Sequence, residues 1–140
     1  MILSYKYRID PSRAQVAALD GMLASFCNLY NAALQQRIEA WQRCRKSLRY
    51  ADQSAELKAV RAAYERLAGF SFSAEQQVLR RLDKSFRAFF ARGKGFPRFR
   101  AASRYDSADF RVGDGLTLRK SGLLGIVGIP GTAHAGQQLR

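Results

Sequence analysis

A chain of 140 residues is long enough for one compact domain, or for one domain with a small subdomain, and this length argues against two full domains. Its 24 Lys and Arg residues outnumber 11 Asp and Glu residues, and the resulting net charge of +13 favours an anionic partner. The N-terminus has no apolar run long enough for a signal peptide or a membrane span, so we expect a cytoplasmic protein without a membrane partner.

Arginine supplies most of the basic charge, with 18 arginines and 6 lysines. The planar guanidinium group pairs with phosphate through two parallel hydrogen bonds and stacks on bases, so we expect nucleic acid rather than another acidic partner. A GC-rich genome would produce the same arginine excess without any function, and this explanation stays open. Cys27 and Cys44 lack the C-x-x-C spacing of a zinc ribbon, and we expect both to be buried, reduced thiols.

The first predicted element is a strand over residues 2–9, where apolar and polar side chains alternate. Asp10 and Pro11 then predict the N-cap and the first residue of a helix. The helical pattern continues to about Leu48, and Gly21 predicts a break that divides the stretch into two helices.

Two further helices are predicted in the middle of the chain. One covers Ser54–Ala68, and the other begins at a capping box formed by Ser73 and Gln76 and ends near Gly93. The second has five basic residues on its polar face and only Asp83 as an acidic neighbour, so we expect phosphate contact rather than pairing within the helix. These basic residues are Arg80, Arg81, Lys84, Arg87 and Arg92.

Short strands separated by glycine-containing turns are predicted after Gly95. Because the first strand has no neighbouring strand in the sequence, we expect it to pair with these late strands. The predicted class is α+β and mostly helical, with one N-terminal strand, an inserted helical bundle, and short antiparallel strands that complete part of a small β-barrel. The predicted late strands are Asp109–Val112, Leu116–Lys120 and Leu123–Ile129.

Basic and aromatic residues are interleaved between Arg80 and Arg104, where nine basic residues accompany one acidic residue. Basic side chains follow a phosphate backbone and aromatic rings stack on exposed bases, a combination typical of nucleic-acid-binding proteins. Three phenylalanines in the preceding helix have the spacing of core residues. Phe96 and Phe99, which flank Pro97, are the freer candidates for base stacking.

The order of these residues resembles a known family. FFARGKGFPRFRAASRYDS is similar to the Phe-Phe, basic spacer, Gly-aromatic-Pro-Arg-Phe-basic and Asp-Ser pattern of TnpB (OrfB) proteins encoded by bacterial insertion sequences. KYRIDPSRAQ is similar to the family's opening Lys-x-Arg-x-x-Pro-x-x-x-Gln. FCNLYNAAL is similar to its Arg-x-x-Tyr-Asn-x-x-Leu, although Asn28 rather than arginine precedes the tyrosine. The resemblance covers roughly residues 5–125.

The resemblance implies a fold and an activity. TnpB-like proteins are RNA-guided DNA endonucleases carried by transposons, also described as transposases with an N-terminal helix-turn-helix domain. The implied organisation is a first strand of a wedge-like β subdomain, a helical recognition domain with a helix-turn-helix-like start, and a return to the β subdomain. The last ten residues have no periodicity and no apolar face, and we expect them to form a disordered tail. The corresponding ranges are 1–10, 11–93, 94–130 and 131–140. His134, in the tail, has no neighbour that could assist it, and we expect no metal or catalytic role for it.

Site residues carried over by position are expected to bind nucleic acid. Tyr50 and Gln76 lie where such proteins contact the short motif beside the DNA target, although Tyr50 could equally be a loop residue and Gln76 the capping partner of Ser73. The remaining candidates lie where a basic face meets guide RNA or heteroduplex phosphates, with aromatic residues among them. They are Arg80, Lys84, Arg87, Lys94, Phe96, Arg98, Phe99, Arg100 and Arg104.

One departure from the family limits the expected activity. A RuvC-like nuclease site needs three carboxylates that converge on Mg²⁺, and the family places them, with a zinc ribbon, far beyond residue 140. We therefore expect a nucleic-acid-binding module with no catalytic residue, metal or cofactor of its own. Part of a split RNA-guided endonuclease and a helix-turn-helix repressor-like protein are the alternatives. A fragment, a frameshifted remnant and a deliberately short protein all fit the sequence.

Overall fold

A computed structural model describes residues 6–139, with side chains described for residues 8–133. Strand β1 (Lys6–Asp10) precedes four helices, and the last four strands follow a short 3-10 helix at Ala102–Arg104. This order confirms the α+β, mostly helical class. The helices are α1 (Arg13–Cys44), α2 (Tyr50–Ala63), α3 (Glu65–Ala68) and α4 (Phe72–Arg92), and the late strands are β2 (Arg111–Val112), β3 (Gly115–Leu118), β4 (Leu123–Ile126) and β5 (Ala133–Leu139).

All five strands belong to one sheet, in the order β1-β5-β4-β3-β2. Strands β1 and β5, β5 and β4, and β4 and β3 pair in antiparallel fashion, whereas the two-residue β2 runs parallel to β3. The first strand therefore joins the late strands, as predicted. Among the described strands β1 and β2 lie at the two edges, so the closed barrel stays a prediction.

The disordered tail predicted for residues 131–140 was wrong for most of its length. Residues 133–139 form β5, which lies between β1 and β4. The segment has no apolar periodicity, and its backbone instead finds hydrogen-bonding partners on both sides. A pattern of apolar and polar residues indicates which side chains are buried. It does not indicate which backbone groups find hydrogen-bonding partners.

Helix α1 is one uninterrupted helix of 32 residues, so the predicted break was wrong. A glycine inside a helix costs about 1 kcal/mol relative to alanine, and the apolar face buried by this helix offsets that cost. Ser25, one turn further on, donates its hydroxyl to the carbonyl of Gly21 at 3.0 Å and so stays within the helix. The N-cap is Ser12 rather than Asp10, and it forms a capping box with Gln15.

The other helix boundaries differ from prediction by a few residues. The predicted Ser54–Ala68 helix starts earlier, at Tyr50, and is interrupted at Tyr64, where the backbone becomes extended. The N-cap of α4 is Ser71 rather than Ser73, because the Ser71 hydroxyl accepts from the Ala74 amide. The predicted C-terminal stop at Gly93 is confirmed, with a left-handed φ of 65°.

The core lies mainly between α1 and α4, and α2 and α3 close one side of it. Tyr105, from the segment that returns to the sheet, is buried in the same core. Cys27 is buried, as predicted, but Cys44 is exposed because it lies at the end of α1. The fully buried side chains include Phe26, Tyr30, Leu34, Leu57, Leu79 and Leu82.

Two contacts join the helices to the sheet. The Gln15 amide donates to the carbonyls of Pro130 and Thr132 at 2.9 and 3.0 Å, which ties the start of α1 to the loop before β5. Gly128 has a φ of 89°, and a Cβ there would lie 2.5 Å from the Phe70 ring. The turn after β4 therefore requires glycine. None of the described helices is long and apolar enough to cross a membrane.

Candidate nucleic-acid interface

The segment after α4 lies along α1 as a chain without helix, strand or turn over residues 93–101. Asn31 of α1 holds its end. The Asn31 amide nitrogen donates to the Arg100 carbonyl at 2.9 Å, and its amide oxygen accepts from the Arg100 N–H at 2.8 Å. The Cys27 thiol donates to the same carbonyl at 3.3 Å. The N–H and the carbonyl of Arg100 are thus both hydrogen-bonded, so the position of its backbone does not depend on its side chain.

Aromatic packing holds the beginning of the same segment. The Phe96 ring meets Phe86 and Phe89 of α4 edge to face, with centroids 5.5 and 5.3 Å apart. Pro97, next in the chain, is buried. Phe96 is therefore an anchor with one exposed side, whereas Phe99 is 54% exposed and is the freer of the two rings.

These anchors form a groove of about 610 Å³ between the segment, α1 and α4. Tyr30, Ser85 and Ala88 line it from the helices, and the Arg100 guanidinium lies 5.5 Å from the centre of the Tyr30 ring. Six of the predicted site residues line this groove, which we call the basic groove. They are Lys94, Phe96, Arg98, Phe99, Arg100 and Arg104.

A second group of predicted residues meets where α2 and α4 begin. The Gln76 amide donates to the Ser54 hydroxyl at 3.3 Å, and Ser54 donates to the Tyr50 hydroxyl at 3.4 Å. The Arg80 guanidinium lies 4.4 Å above the Tyr50 ring. The structure thus brings Tyr50, Gln76 and Arg80 together in what we call the Tyr50 cluster. Ser54 links Tyr50 to Gln76 and was not among the predicted site residues.

The basic face of α4 is divided between structural and exposed positions. Arg81 reaches the Ser107 carbonyl at 3.1 Å and the Asp109 carboxylate at 3.2 Å, so it holds the return segment in place. Arg87 pairs with Asp83 at 2.9 Å, although its side chain is 81% exposed. Lys84 and Arg92 are exposed residues of this face that make no salt bridge among the described side chains.

The described part of the chain contains no candidate metal site. Among the side chains of residues 8–133, no three of the types His, Cys, Asp and Glu cluster as metal ligands would. Burial raises the pKa of the Tyr105 hydroxyl, which has no hydrogen-bond partner in the described part of the chain, and burial also raises the pKa of the Cys27 thiol. Both groups are protonated at neutral pH, and the thiol is consequently a poor nucleophile.

Comparison with known proteins gives two matches. Residues 1–46 match the helix-turn-helix domain family of IS605 OrfB proteins. A Streptomyces pristinaespiralis protein named "Putative RNA-guided DNA endonuclease" is 32% identical over 127 residues, which cover 84% of this chain and 32% of that protein. These findings confirm the resemblance to the TnpB/OrfB family. The chain spans about a third of the length of this relative.

The OrfB family description and the observed geometry differ at one point. The matched segment, where the structure describes it, contains β1 and the single helix α1, without a turn between two helices. A helix-turn-helix protein reads DNA with a second helix set across the first. Residues 11–48 therefore contain one helix, and not the two-helix arrangement of the repressor-like alternative.

Two of the OrfB-type motifs have structural roles in this chain. Gln15 closes KYRIDPSRAQ and ties α1 to the sheet, while Asn31 in FCNLYNAAL ties α1 to Arg100 of the third motif. Asn31 and Arg100 are 69 residues apart in the sequence. No local sequence pattern indicates that Asn31 supports the basic groove. Only the order of the three motifs, which is similar to that of the family, could have indicated it.

Replacing Asn31 by alanine is expected to loosen the basic groove without unfolding the chain. Because both lost hydrogen bonds are partly exposed, water replaces them, and the cost is about 1 kcal/mol for each bond. We expect faster hydrogen exchange at the Arg100 amide and a several-fold loss of oligonucleotide affinity, measured by fluorescence anisotropy. Asn28→Ala, an exposed site on the same helix, is the matched control. Equal exchange rates in both variants would show that Asn31 does not hold the segment.

Proposed function

We propose that this chain binds nucleic acid through the basic groove, as the N-terminal module of a TnpB-like protein that holds guide RNA and target DNA. One observation carries the proposal. Four basic side chains and the exposed Phe99 line a single groove, and the backbone beneath Arg100 is fixed by Asn31. The four basic residues are Lys94, Arg98, Arg100 and Arg104.

Charge and rigidity support this proposal together. Lys94, Arg98, Arg100 and Arg104 make no salt bridge among the described residues, so their charges are available to phosphate. A fixed backbone lowers the entropy lost when phosphates bind, because fewer backbone torsions remain to be ordered. The exposed Phe99 adds a face on which a base can stack.

The Tyr50 cluster is the proposed contact for the short motif beside the DNA target. Tyr50 and Gln76 offer a hydroxyl and an amide, which are groups that recognise base edges, and Arg80 beside them supplies a positive charge. We place no catalytic residue in this chain. DNA cleavage, named for the relative, belongs in this proposal to parts of the longer protein that lie outside these 140 residues.

The test is the salt dependence of binding. Guide-like single-stranded RNA and duplex DNA are titrated by fluorescence anisotropy at several salt concentrations, with the wild-type chain and with the double variant Arg98→Glu, Arg100→Glu. Each phosphate contact on a single strand contributes about 0.7 to the slope of log K against log salt. We expect the double variant to bind roughly tenfold more weakly at low salt, with a slope smaller by about 1.4.

The matched control reverses two charges away from the groove. Lys58 and Arg66 are exposed and line no part of the basic groove, so Lys58→Glu, Arg66→Glu changes the net charge by the same amount. We expect this control to retain most of the wild-type slope. Equal losses in the two double variants would mean that net charge alone, rather than the basic groove, governs binding.

A further inference from the structure

A second groove lies on the other side of Phe96, between the ends of α1 and α4. Its volume is about 550 Å³, and its walls are largely apolar. Three of its rings are unusually exposed for a soluble protein, with Trp41 at 52%, Phe90 at 71% and Phe96 at 48%. We call it the Trp41 trough, and its apolar lining is Ile38, Trp41, Leu48, Phe86, Phe89, Phe90 and Phe96.

The phenylalanine rings of the trough belong to one continuous aromatic cluster. Phe90 is nearly parallel to Phe86 at 6.3 Å and lies 5.2 Å from Phe89, and Phe96 packs edge to face on both Phe86 and Phe89. The inner sides of these rings are therefore held by their neighbours, while the outer faces of Phe90 and Trp41 are open. Such a surface is already in place before any partner binds.

The charged groups around the trough are positive. Lys46 lines it, and the Arg45 guanidinium lies 5.6 Å from the centre of the Trp41 ring. Arg37 also lines it, but its charge is paired with Asp83. Among the described residues no carboxylate lines the trough. The nearby Asp83 is engaged by Arg37 and Arg87. A partner that fits this surface carries negative charge together with flat apolar faces.

The trough and the basic groove share Phe96 as a common wall. A strand whose phosphates lie beside Arg98 and Arg100 therefore has a path over Phe96 to an aromatic floor. We propose that the Trp41 trough binds unpaired nucleobases of the strand whose phosphates occupy the basic groove, with Trp41 and Phe90 as the stacking platform. This inference rests on the proposed function, because the continuity of the two grooves identifies the occupant.

The other chemistry that such a surface could accept is an acidic amphipathic peptide. The positive charge of the trough lies at one end of α1. Beyond Phe96 the trough continues into the basic groove and not into further apolar surface. A peptide helix needs a long apolar groove for residues spaced over several turns. A flat base beside its phosphate fits the shared wall better.

Trp41 is the single tryptophan of the chain, so its fluorescence reports directly on the trough. The wild-type chain is titrated with an end-labelled oligothymidylate and, separately, with an abasic strand of the same length. Anisotropy of the label measures binding of either strand, and tryptophan emission measures stacking. We expect quenching by the strand that has bases and much less quenching by the abasic strand.

A pair of substitutions separates stacking from folding. Trp41→Ala is expected to weaken oligothymidylate binding about tenfold, which is typical of one lost base stack, and to leave the binding of the abasic strand unchanged. Tyr64→Ala removes a ring that is 64% exposed at the junction of α2 and α3 and is the matched control. Circular dichroism of both variants checks that each one folds.

The outcomes distinguish this inference from the function on which it rests. Binding without a change in tryptophan emission, or equal quenching by the two strands, overturns the trough as a base site and leaves the basic groove in place. Absence of binding by either strand overturns the proposed function and the inference together. Quenching by an acidic amphipathic peptide, but not by oligothymidylate, assigns the trough to a protein partner and also overturns the inference.

Discussion

Replacing Asp83 by alanine is expected to lower the free energy of unfolding by about 3–5 kcal/mol, because the change leaves a buried guanidinium without its carboxylate. The Arg37 side chain is 6% exposed and lies 3.0 Å from Asp83. Asp83 also accepts from the Tyr50 amide at 3.2 Å, at the first residue of α2. Denaturant titration followed by circular dichroism measures the loss.

The surrounding network explains why Arg37 cannot adapt to this loss. Its Nε donates to Gln53 at 2.8 Å, and the Gln53 amide donates to the Ala33 carbonyl at 2.8 Å. Its guanidinium also lies 4.8 Å from the centre of the Phe86 ring. The side chain is thus held between α1, α2 and α4, and it cannot swing into water without disrupting the core.

Asp109→Ala is the matched control for Asp83→Ala. Asp109 also pairs with an arginine, at 3.2 Å from Arg81, but its side chain is 65% exposed. A pair of this kind contributes at most about 1 kcal/mol, since water solvates both partners once it is broken. If Asp83→Ala costs no more than Asp109→Ala, the buried network does not hold the helices together.

The second large effect is a loss of stability as the pH rises. Glu75 is fully buried beside Arg61, and burial raises the pKa of its carboxyl to about 7 despite the hydrogen bond from that arginine. One carboxylate oxygen has no hydrogen-bond partner among the described residues, so the charged form is poorly solvated. The folded state therefore keeps its proton to higher pH than the unfolded state.

This difference sets the direction of the pH dependence. Between the ordinary pKa of 4.5 and about 7, the folded chain binds more protons than the unfolded chain, so stability falls as the pH rises through this window. The loss is on the order of 3 kcal/mol. Thermal unfolding from pH 5 to pH 8 measures it, and Glu75→Gln is expected to remove it because the amide cannot ionise.

Glu65→Gln, at an exposed position in α3, is the control for this prediction. It changes the same chemical group and should retain the wild-type pH dependence. The difference between the two variants isolates Glu75 from all other titrating groups. A wild-type chain whose stability does not change across this window, or a Glu75→Gln variant that keeps the dependence, would contradict the assignment.

Both buried pairs also position the candidate interface. Arg61 donates to the carbonyls of Leu67, Ala68 and Phe70 as well as to Glu75, and so fixes the turn between α3 and α4. Asp83 fixes the start of α2, where the Tyr50 cluster lies. The basic groove depends on the same arrangement, because its walls are α1, α4 and the segment held by Asn31.

Sequence alone determined the features that depend on local chemistry. The left-handed stop at Gly93 and the helices were predictable because a glycine cap and apolar periodicity act over a few residues. Six candidate binding residues from a stretch of eleven line one groove, as their basic and aromatic composition indicated. The family resemblance could be recognised for a related reason, because short motifs and their order can be read from a single sequence.

Tertiary structure decided everything that depends on partners distant in the chain. Residues 133–139 became a strand because β1 and β4 supply backbone partners, and α1 stayed continuous across Gly21 because its buried face is long. Asn31 meets Arg100 across 69 residues, and Arg37 meets Asp83 across 46. The free energy of these contacts offsets the conformational entropy that is lost when long loops close. Such contacts therefore form only when the whole core packs. No local sequence pattern encodes them.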